Sequence, residues 1–407
     1  MNLSLCMIVR DEEENLRDCL LSLRDSFDEI IVVDTGSKDR TPRLAKEMGA
    51  KVFYFPWQDD FSAARNASLS YAQGDWIFWM DADDRITPQE AQKIRGLIGE
   101  DVKKAFSFKV INEGTQEEFY QLRLFPKLPG VKFEGAIHEQ VEGSLRRLGV
   151  EVEPKEVVIN HLGYADGGKK RKDLRNLKFL KEWLNKHPRD FYSSFQLAST
   201  YDSLGERQKA LELTRKLLEN PRFPAFSEEL YLYTHLLEAK LYYELGEEGK
   251  SMVSLHNALQ KEESFWPAKF YLGELLCLKK NFSKALPYLQ EVKKIEPKTI
   301  NLPLPIPLMK VKTDYWLGIC YEETNQISQA IGAYQRCISH KPDSFIPYFR
   351  LGKLFLKRNR KEEAMALIEK SIEMAGGEGV SPLRNLSEPH SAAKPQPNTS
   401  HGLHGFH

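Results

Sequence analysis

Over its first hundred residues the chain alternates short apolar runs with polar stretches of helical period, the rhythm of an α/β domain built on a mostly parallel sheet. Leu3 to Val9 predicts the first strand, and Glu12 to Leu23 a helix with Leu16, Leu20 and Leu23 on one face. Glu29 to Val33 predicts a buried strand ending at Asp34, after which Thr35-Gly36-Ser37-Lys38-Asp39 turns into a helix running to Met48. Val52 to Phe55 reads as a third strand and Phe61 to Ala72 as a helix. Trp76 to Met80 is a fourth strand that runs out onto Asp81-Ala82-Asp83-Asp84. In open α/β sheets ligands bind beyond the carboxyl ends of the strands, so Asp34 and the Asp81 cluster are expected to converge on one cleft. From about Phe106 to Gly163 the pattern predicts shorter, more irregular strands with Gly and Pro turns, the second half of the same domain.

Beyond Lys169 the period becomes helical and a repeat emerges. The tetratricopeptide pattern asks for a small residue, an aromatic one turn later, a following Ala and a Pro near its end, with a period of about 34 residues. Gly318, Tyr321, Ala330, Tyr334 and Pro342 fit it, as do Gly352, Phe355 and Ala364. Gly273, Ala285, Leu289 and Pro297 make a third copy, Ala198, Tyr201 and Ala210 a fourth, and Ala239, Tyr242 and Leu255 a weaker fifth. The small residues let paired helices approach closely, and stacking buries faces that no single repeat could bury alone. The expected organisation is an α/β domain over 1–168, an all-α repeat solenoid over 169–375 and a disordered tail over 376–407, where Gly, Pro, Ser, Asn and His dominate.

Lys plus Arg and Asp plus Glu number 58 each, so no global charge favours nucleic acid or an anionic membrane. No apolar stretch reaches the about 18 residues of a spanning helix, and the first apolar run lacks the length and cleavage site of a signal peptide. The five cysteines contain no CxxC pair, which fits reduced thiols and a cytoplasmic location.

Asp34, Asp39, Asp81, Asp83 and Asp84 lie at or near strand ends, and clustered carboxylates are costly without a cation. Mg²⁺ or Mn²⁺ is the economical partner, because a hard divalent ion takes one or two carboxylates plus phosphate oxygens. A diphosphate leaving group gives such an ion its task. Trp76 and Trp79 fall inside an apolar strand and are expected in the core, whereas Trp57, beside Pro56, is the better cleft candidate for stacking on a sugar.

The ordered set Ile-Val-Val-Asp34-Thr-Gly-Ser37-Lys-Asp39, then Phe61-Ser-Ala-Ala-Arg65-Asn66, then Trp76-Ile-Phe-Trp-Met-Asp81-Ala-Asp83-Asp84 resembles the nucleotide-binding half of family 2 glycosyltransferases. The resemblance covers roughly 3–165 and implies a GT-A fold with a nucleotide-diphosphate sugar as donor. It places Asp11 and Glu12 beside the nucleoside, Asp34 with Ser37 in its turn at the base, and Arg65 near the nucleotide. Asp81 and Asp83 take the metal and ribose-phosphate motif, with Asp83 the stronger metal candidate. The family is mostly inverting and needs a general base. Here the chain departs from the family's Glu-Asp pair and offers Lys132-Phe-Glu134-Gly-Ala-Ile-His138-Glu139-Gln, similar to tetratricopeptide-bearing members such as the peptide S-glycosyltransferases of bacteriocin clusters. Glu139 is nominated as base with Glu134 in reserve. His138 or His161 could add an imidazole ligand, since Mn²⁺ accepts both donor types. Arg123 could meet the diphosphate from the opposite side.

The expected activity is hexosyl transfer to a peptide, protein or saccharide acceptor held by the repeats, which could also pair two copies of the chain. A non-catalytic scaffold with a relic transferase domain is the alternative from another class, and a transferase for surface polysaccharide a further one. A phosphatase using Asp81 and Asp83 ranks below these because Arg85 stands where that chemistry wants Thr or Val. A sugar nucleotidyltransferase would need a Gly-rich, Arg-containing loop after the first strand, which this chain lacks.

Overall fold

Alternation within each strand sets both faces of the central sheet. In a computed structural model, which describes residues 1–23, 26–135, 139–163, 169–295 and 301–376, β1 (Leu3–Val9) turns Leu3, Leu5, Met7 and Val9 to one core and Cys6 to the other. β4 (Trp76–Met80) does the same with Trp76, Phe78 and Met80 against Ile77 and Trp79. A strand buried on both faces reads as a continuous apolar run, which is why these two were legible as they stand.

Between them in sequence come α1 (Glu13–Leu21), β2 (Glu29–Asp34), α2 (Thr41–Glu47), β3 (Lys51–Tyr54) and α3 (Phe61–Tyr71). After β4 follow β5 (Asp84–Arg85), α4 (Pro88–Leu97), β6 (Lys104–Asn112), β7 (Glu117–Pro126), α5 (Glu142–Arg147) and β8 (Glu151–His161). The strands make one mixed sheet in the order β3-β2-β1-β4-β7-β6-β8-β5. β3, β2, β1 and β4 are parallel, β7 is antiparallel to β4 and β6, and β5 pairs antiparallel with β8.

The expectation of short strands after Phe106 is corrected. β6, β7 and β8 have 9, 10 and 11 residues and are the longest of the sheet. Their signal is blurred because register shifts between Phe106 and Ser107 and between Phe108 and Lys109 break the two-residue alternation. The charged residues Glu151, Glu153 and Lys155 further hide β8.

β4 and β5 stand four positions apart in the sheet, about 19 Å if it were flat at about 4.8 Å per strand. The chain from Met80 to Asp84 reaches only about 14 Å fully extended. The β7-β6-β8 half therefore curls back toward the end of β4, and it carries His161 with it.

The structure divides into two units. The first runs Met1–Phe226 and takes in a stretch ending at Leu304; the second begins at Ser227. The first thus holds, besides the sheet, α6 (Lys169–Lys186), α7 (Phe191–Ser203), α8 (Arg207–Leu218) and α9 (Phe223–Phe226). Trp57 packs edge-on to Phe61 with ring centroids 4.8 Å apart and lies 6.2 Å from Phe179 of α6, so the indole expected in a cleft is part of the joint between α3 and the first helices.

The second unit pairs α10 (Glu228–Glu244) with α11 (Glu248–Lys261), α12 (Trp266–Leu278) with α13 (Phe282–Lys294), α14 (Ile306–Glu323) with α15 (Ile327–His340), and α16 (Phe345–Lys357) with α17 (Lys361–Gly376). The repeat glycines sit at the crossings. A Cβ on Gly318 would meet the Tyr334 ring at 2.4 Å, one on Gly273 the Leu289 side chain at 2.8 Å, and one on Gly352 Ile368 at 2.7 Å. Pro297 and the tail from 377 lie outside the described residues. Among the described residues no helix is long and apolar enough to cross a membrane.

Candidate functional site

The order β2-β1-β4 reverses the direction of winding at β1, so the crevice beyond the carboxyl ends of β1 and β4 is where an α/β sheet accepts a ligand. Two clusters of candidate residues form there.

The first stitches the turn after β1 to the turn after β2. Asp11, at φ +54°, donates its N–H to the Ser37 hydroxyl at 2.9 Å and accepts the Lys38 N–H at 2.7 Å. Asp34 is buried and accepts the Ser37 hydroxyl at 2.5 Å and the Gly36 N–H at 3.2 Å. Its carboxylate thus shapes the turn before it touches any ligand. Glu12 donates its N–H to Thr41 and accepts from Asn15. Burial raises the Glu12 carboxyl above its ordinary value, and the charges of Asp83, Asp81 and Asp39 add to the shift against the Asn15 hydrogen bond. Glu12 therefore links the first cluster to the second.

The second cluster lies at the end of β4. Arg65 reaches up from α3, only 5% exposed, with its guanidinium 4.0 Å from the Trp79 ring. Its Nη2 donates to Asp81 at 2.7 Å and its Nε to Glu139, so residues 16 and 74 positions away in sequence share one cation. Burial would lower the guanidinium's pKa, but Asp81 and Glu139 together raise it, and it stays charged. Asp81 is held well below the carboxylate range: burial works against this, and the Arg65 and Arg123 charges prevail.

Arg123 is buried at 2% exposure and lies 3.8 Å from the Trp79 ring. Its Nη1 meets Asp84 at 3.0 Å, the Trp79 carbonyl at 3.3 Å and Asp81 at 3.9 Å. The arginine expected opposite a diphosphate is thus occupied with these carboxylates. Asp84, fully buried, also accepts the Asp81 N–H at 3.0 Å and lies 2.9 Å from His161 Nδ1. The other ring nitrogen of His161, Nε2, is 3.6 Å from Asp83. Ligand atoms of Asp83, Asp84 and His161 all fall within 4.8 Å of one another.

Burial raises the Asp83 carboxyl, and Asp81 and Asp84 raise it further, while His161 opposes them. Burial lowers the His161 imidazole, but the Asp84 hydrogen bond and the charges of Asp83, Asp84 and Asp81 outweigh it and leave it raised. Glu12, Asp81, Asp83, Asp84 and Glu139 face Arg65, Arg123 and one imidazole. That excess of negative charge suits a cation.

Glu134 stands apart: Arg147 at 2.8 Å and Lys132 at 3.3 Å pair with it, and they lower its carboxyl against the effect of burial. His138 lies outside the described residues. Sequence reasoning counted Asp84 in the acidic cluster but named it neither ligand nor binding residue, because nothing in the spacing couples it to a histidine 77 positions later. A faint signal existed in the third acid of a four-residue turn, for which the two-acid motif has no use.

Residues 4–147 match the family described as Glycosyl transferase family 2, and 313–344 and 347–377 each match a tetratricopeptide repeat family. A TPR repeat-containing protein of Synechococcus elongatus is 38% identical over 251 residues, 58% of this chain and 62% of that protein. The SPbeta prophage-derived glycosyltransferase SunS of Bacillus subtilis is 29% identical over 228 residues, 53% of this chain and 52% of its own length. The matched segments thus span between half and two thirds of these relatives. Among solved structures, MamA of Desulfovibrio magneticus RS-1 aligns with a TM-score of 0.37 at 16% identity, covering 47% of this chain and 98% of that one. The chain carries a family 2 glycosyltransferase domain at its N-terminal side and tetratricopeptide repeats at its C-terminal side.

Proposed function

We propose that the chain transfers a sugar from a nucleotide-diphosphate donor to an acceptor in a metal-dependent, inverting reaction in the cytoplasm. The observation that carries this is the convergence of Asp83, Asp84 and His161 at the switch point of the sheet. The donor set fits a hard divalent ion with tolerance for nitrogen, Mn²⁺ or Mg²⁺. Asp83 and His161 Nε2 would hold it, while buried Asp84 orients the imidazole from behind. Such an ion supplies neutralisation of the charge that develops on the diphosphate as the sugar bond breaks.

The protein's own residues then divide the work. Asp11, Glu12, Asp34 and Ser37 present hydrogen-bond acceptors and a hydroxyl to the nucleoside. Arg65 holds the Asp81 and Glu139 carboxylates in fixed places. Glu139, with Oε1 on Arg65, takes the acceptor proton on its other oxygen as the acceptor attacks the anomeric carbon. The repeats offer the kind of surface that binds extended peptides, so a peptide or protein is the proposed acceptor.

A thermal-shift screen of UDP-, GDP- and dTDP-hexoses with and without Mn²⁺ tests the donor half, because a ligand that binds only the folded state raises its melting temperature. One donor is expected to stabilise, more so with Mn²⁺, and Asp83→Ala to abolish the metal-dependent part. No shift with any donor would sink the proposal. For the acceptor half, transfer confined to lipid-linked or saccharide acceptors, with none to a peptide library, would overturn the peptide assignment.

A further inference from the structure

Alternation along the apolar strand β4 assigns Trp79 to the core on one face of the sheet. That face also carries two charges. The register of β4 against β7 pairs Trp76 with Pro126, Ile77 with Phe125 and Phe78 with Leu124, so the position opposite Trp79 is Arg123. Opposite residues of an antiparallel pair share a face, and the Arg123 guanidinium lies over the indole, its carbon 3.8 Å from the ring centroid. Arg65 comes to the same ring from α3, at 4.0 Å. Through these two cations one side chain touches both halves of the site. Arg65 holds Asp81 and Glu139, and Arg123 holds Asp84, the carboxylate behind His161.

The ring is itself fixed. Its N–H donates to the Leu122 carbonyl at 2.9 Å, which ties β4 to the residue just before Arg123, and Phe133 packs edge-on against it with centroids 5.7 Å apart. Hydrogen bonds alone leave Arg123 incompletely held. Its contacts with Asp84, Asp81 and the Trp79 carbonyl run through Nη1, and among the described residues its buried Nε has no hydrogen-bond partner. The face of an indole offers such a cation a negative potential, most strongly where water is excluded. A planar group held at one nitrogen can pivot, and a ring against its face removes that freedom.

We propose that Trp79 is a positioning residue for the transfer reaction: its indole sets the planes of Arg65 and Arg123, and through them the places of Glu139, Asp81 and Asp84. The inference rests on the reading of Glu139 as base and of Asp83 and His161 as metal ligands. A displaced ring moves base and metal group together, and a misplacement of about 1 Å costs roughly a hundredfold in rate.

Trp76 supplies the control. It stands three residues earlier on β4, is also buried, donates its indole N–H to the Gly99 carbonyl at 3.1 Å and stacks on Phe106. It belongs to the core on the other face of the sheet.

The experiment compares Trp79→Leu and Trp79→Phe with Trp76→Leu and Trp76→Phe. Mn²⁺ alone is titrated calorimetrically, and the rate is nucleotide release from the donor found in the thermal-shift screen. Trp79→Leu is expected to lower kcat roughly a hundredfold and to weaken Mn²⁺ binding about tenfold, the lower end of what a disturbed outer contact to a ligating histidine costs. Trp79→Phe keeps a weaker aromatic face and should lose roughly tenfold in kcat or less. Both Trp76 variants should melt earlier, as the Trp79 variants do, yet keep kcat and Mn²⁺ affinity within about twofold of wild type, because their site lies on another core. A further readout needs no substrate: the Arg65 Nε–H, bonded to Glu139, should exchange with water faster in Trp79→Leu and at the wild-type rate in Trp76→Leu.

A wild-type chain that neither binds Mn²⁺ nor releases nucleotide would remove the proposed function, and this inference with it. An active wild type whose Trp79 variants match their Trp76 counterparts in kcat and Mn²⁺ affinity would overturn the inference alone, since burial would then be all that Trp79 contributes. Should Trp79→Leu fail to fold, the two Phe variants decide by the same comparison.

Discussion

Asp84 and His161 face each other across the β5–β8 pair, with carboxylate Oδ1 2.9 Å from imidazole Nδ1. That contact directs Nε2 toward Asp83, 3.6 Å away. A carboxylate behind a ligating histidine fixes its tautomer and raises its basicity, and its loss typically costs 10- to 100-fold in metal affinity, roughly. Asp84→Asn is therefore expected to weaken Mn²⁺ binding by about that factor in a calorimetric titration. Asp84→Ala should also lower the melting temperature, because it strips buried Arg123 of its nearest carboxylate, a loss of about 3–5 kcal/mol. Wild-type Mn²⁺ affinity in Asp84→Asn would mean that His161 is no ligand.

In the repeats, Gly318→Ala is expected to destabilise the protein by about 1–3 kcal/mol, since the new methyl group meets the Tyr334 ring at 2.4 Å and neither helix can retreat without opening its neighbours. Gly332→Ala on α15 is the matched control. There the nearest atom is the flexible Arg336 guanidinium at 3.5 Å, and helix propensity favours Ala by up to about 1 kcal/mol. Opposite signs in denaturant melts of the two variants check the close crossing.

A third prediction concerns acid, at the end of the sheet away from the site. Burial alone would raise the Glu29 carboxyl, but hydrogen bonds from Lys51, Ser4 and the Gln73 N–H hold it down to about 2. A depressed carboxyl contributes stability that is full above its ordinary value of 4.5 and drains away as the pH falls toward 2. Glu29→Gln should cost roughly 1–3 kcal/mol at pH 7 and flatten that part of the loss below pH 4.5. Urea unfolding at pH 7 and pH 3 gives the comparison; parallel curves for the two proteins would refute it.

What could be read from the residues followed from where each lies. β1 and β4 are buried on both faces, so their apolar runs mark their own ends. The repeat anchors were legible because a small residue at a crossing has no substitute, as the neighbours of Gly273, Gly318 and Gly352 show. β6 and β8 were not, because a register shift interrupts their alternation. The site was legible as a list and not as a circuit. Asp81, Arg65 and Glu139 are each recognisable by type, but one guanidinium serving two carboxylates from distant segments is a tertiary fact. The Asp84–His161 contact depends on a two-residue strand, β5, too short to leave a periodic trace.

Leu304, fully buried, exchanges backbone hydrogen bonds with Glu118 of β7, accepting at 2.9 Å and donating at 3.4 Å. The sheet unit is therefore discontinuous in the chain: it recruits a strand-like patch for one side of β7 from beyond α13. A ribosome releasing this polypeptide N-terminus first must deliver β8 and the helices α5 to α13 before that patch emerges, and until then β7 waits with the groups Leu304 will satisfy exposed to water or to another nascent chain. Any clone cut at Phe226 would inherit the same bare margin permanently.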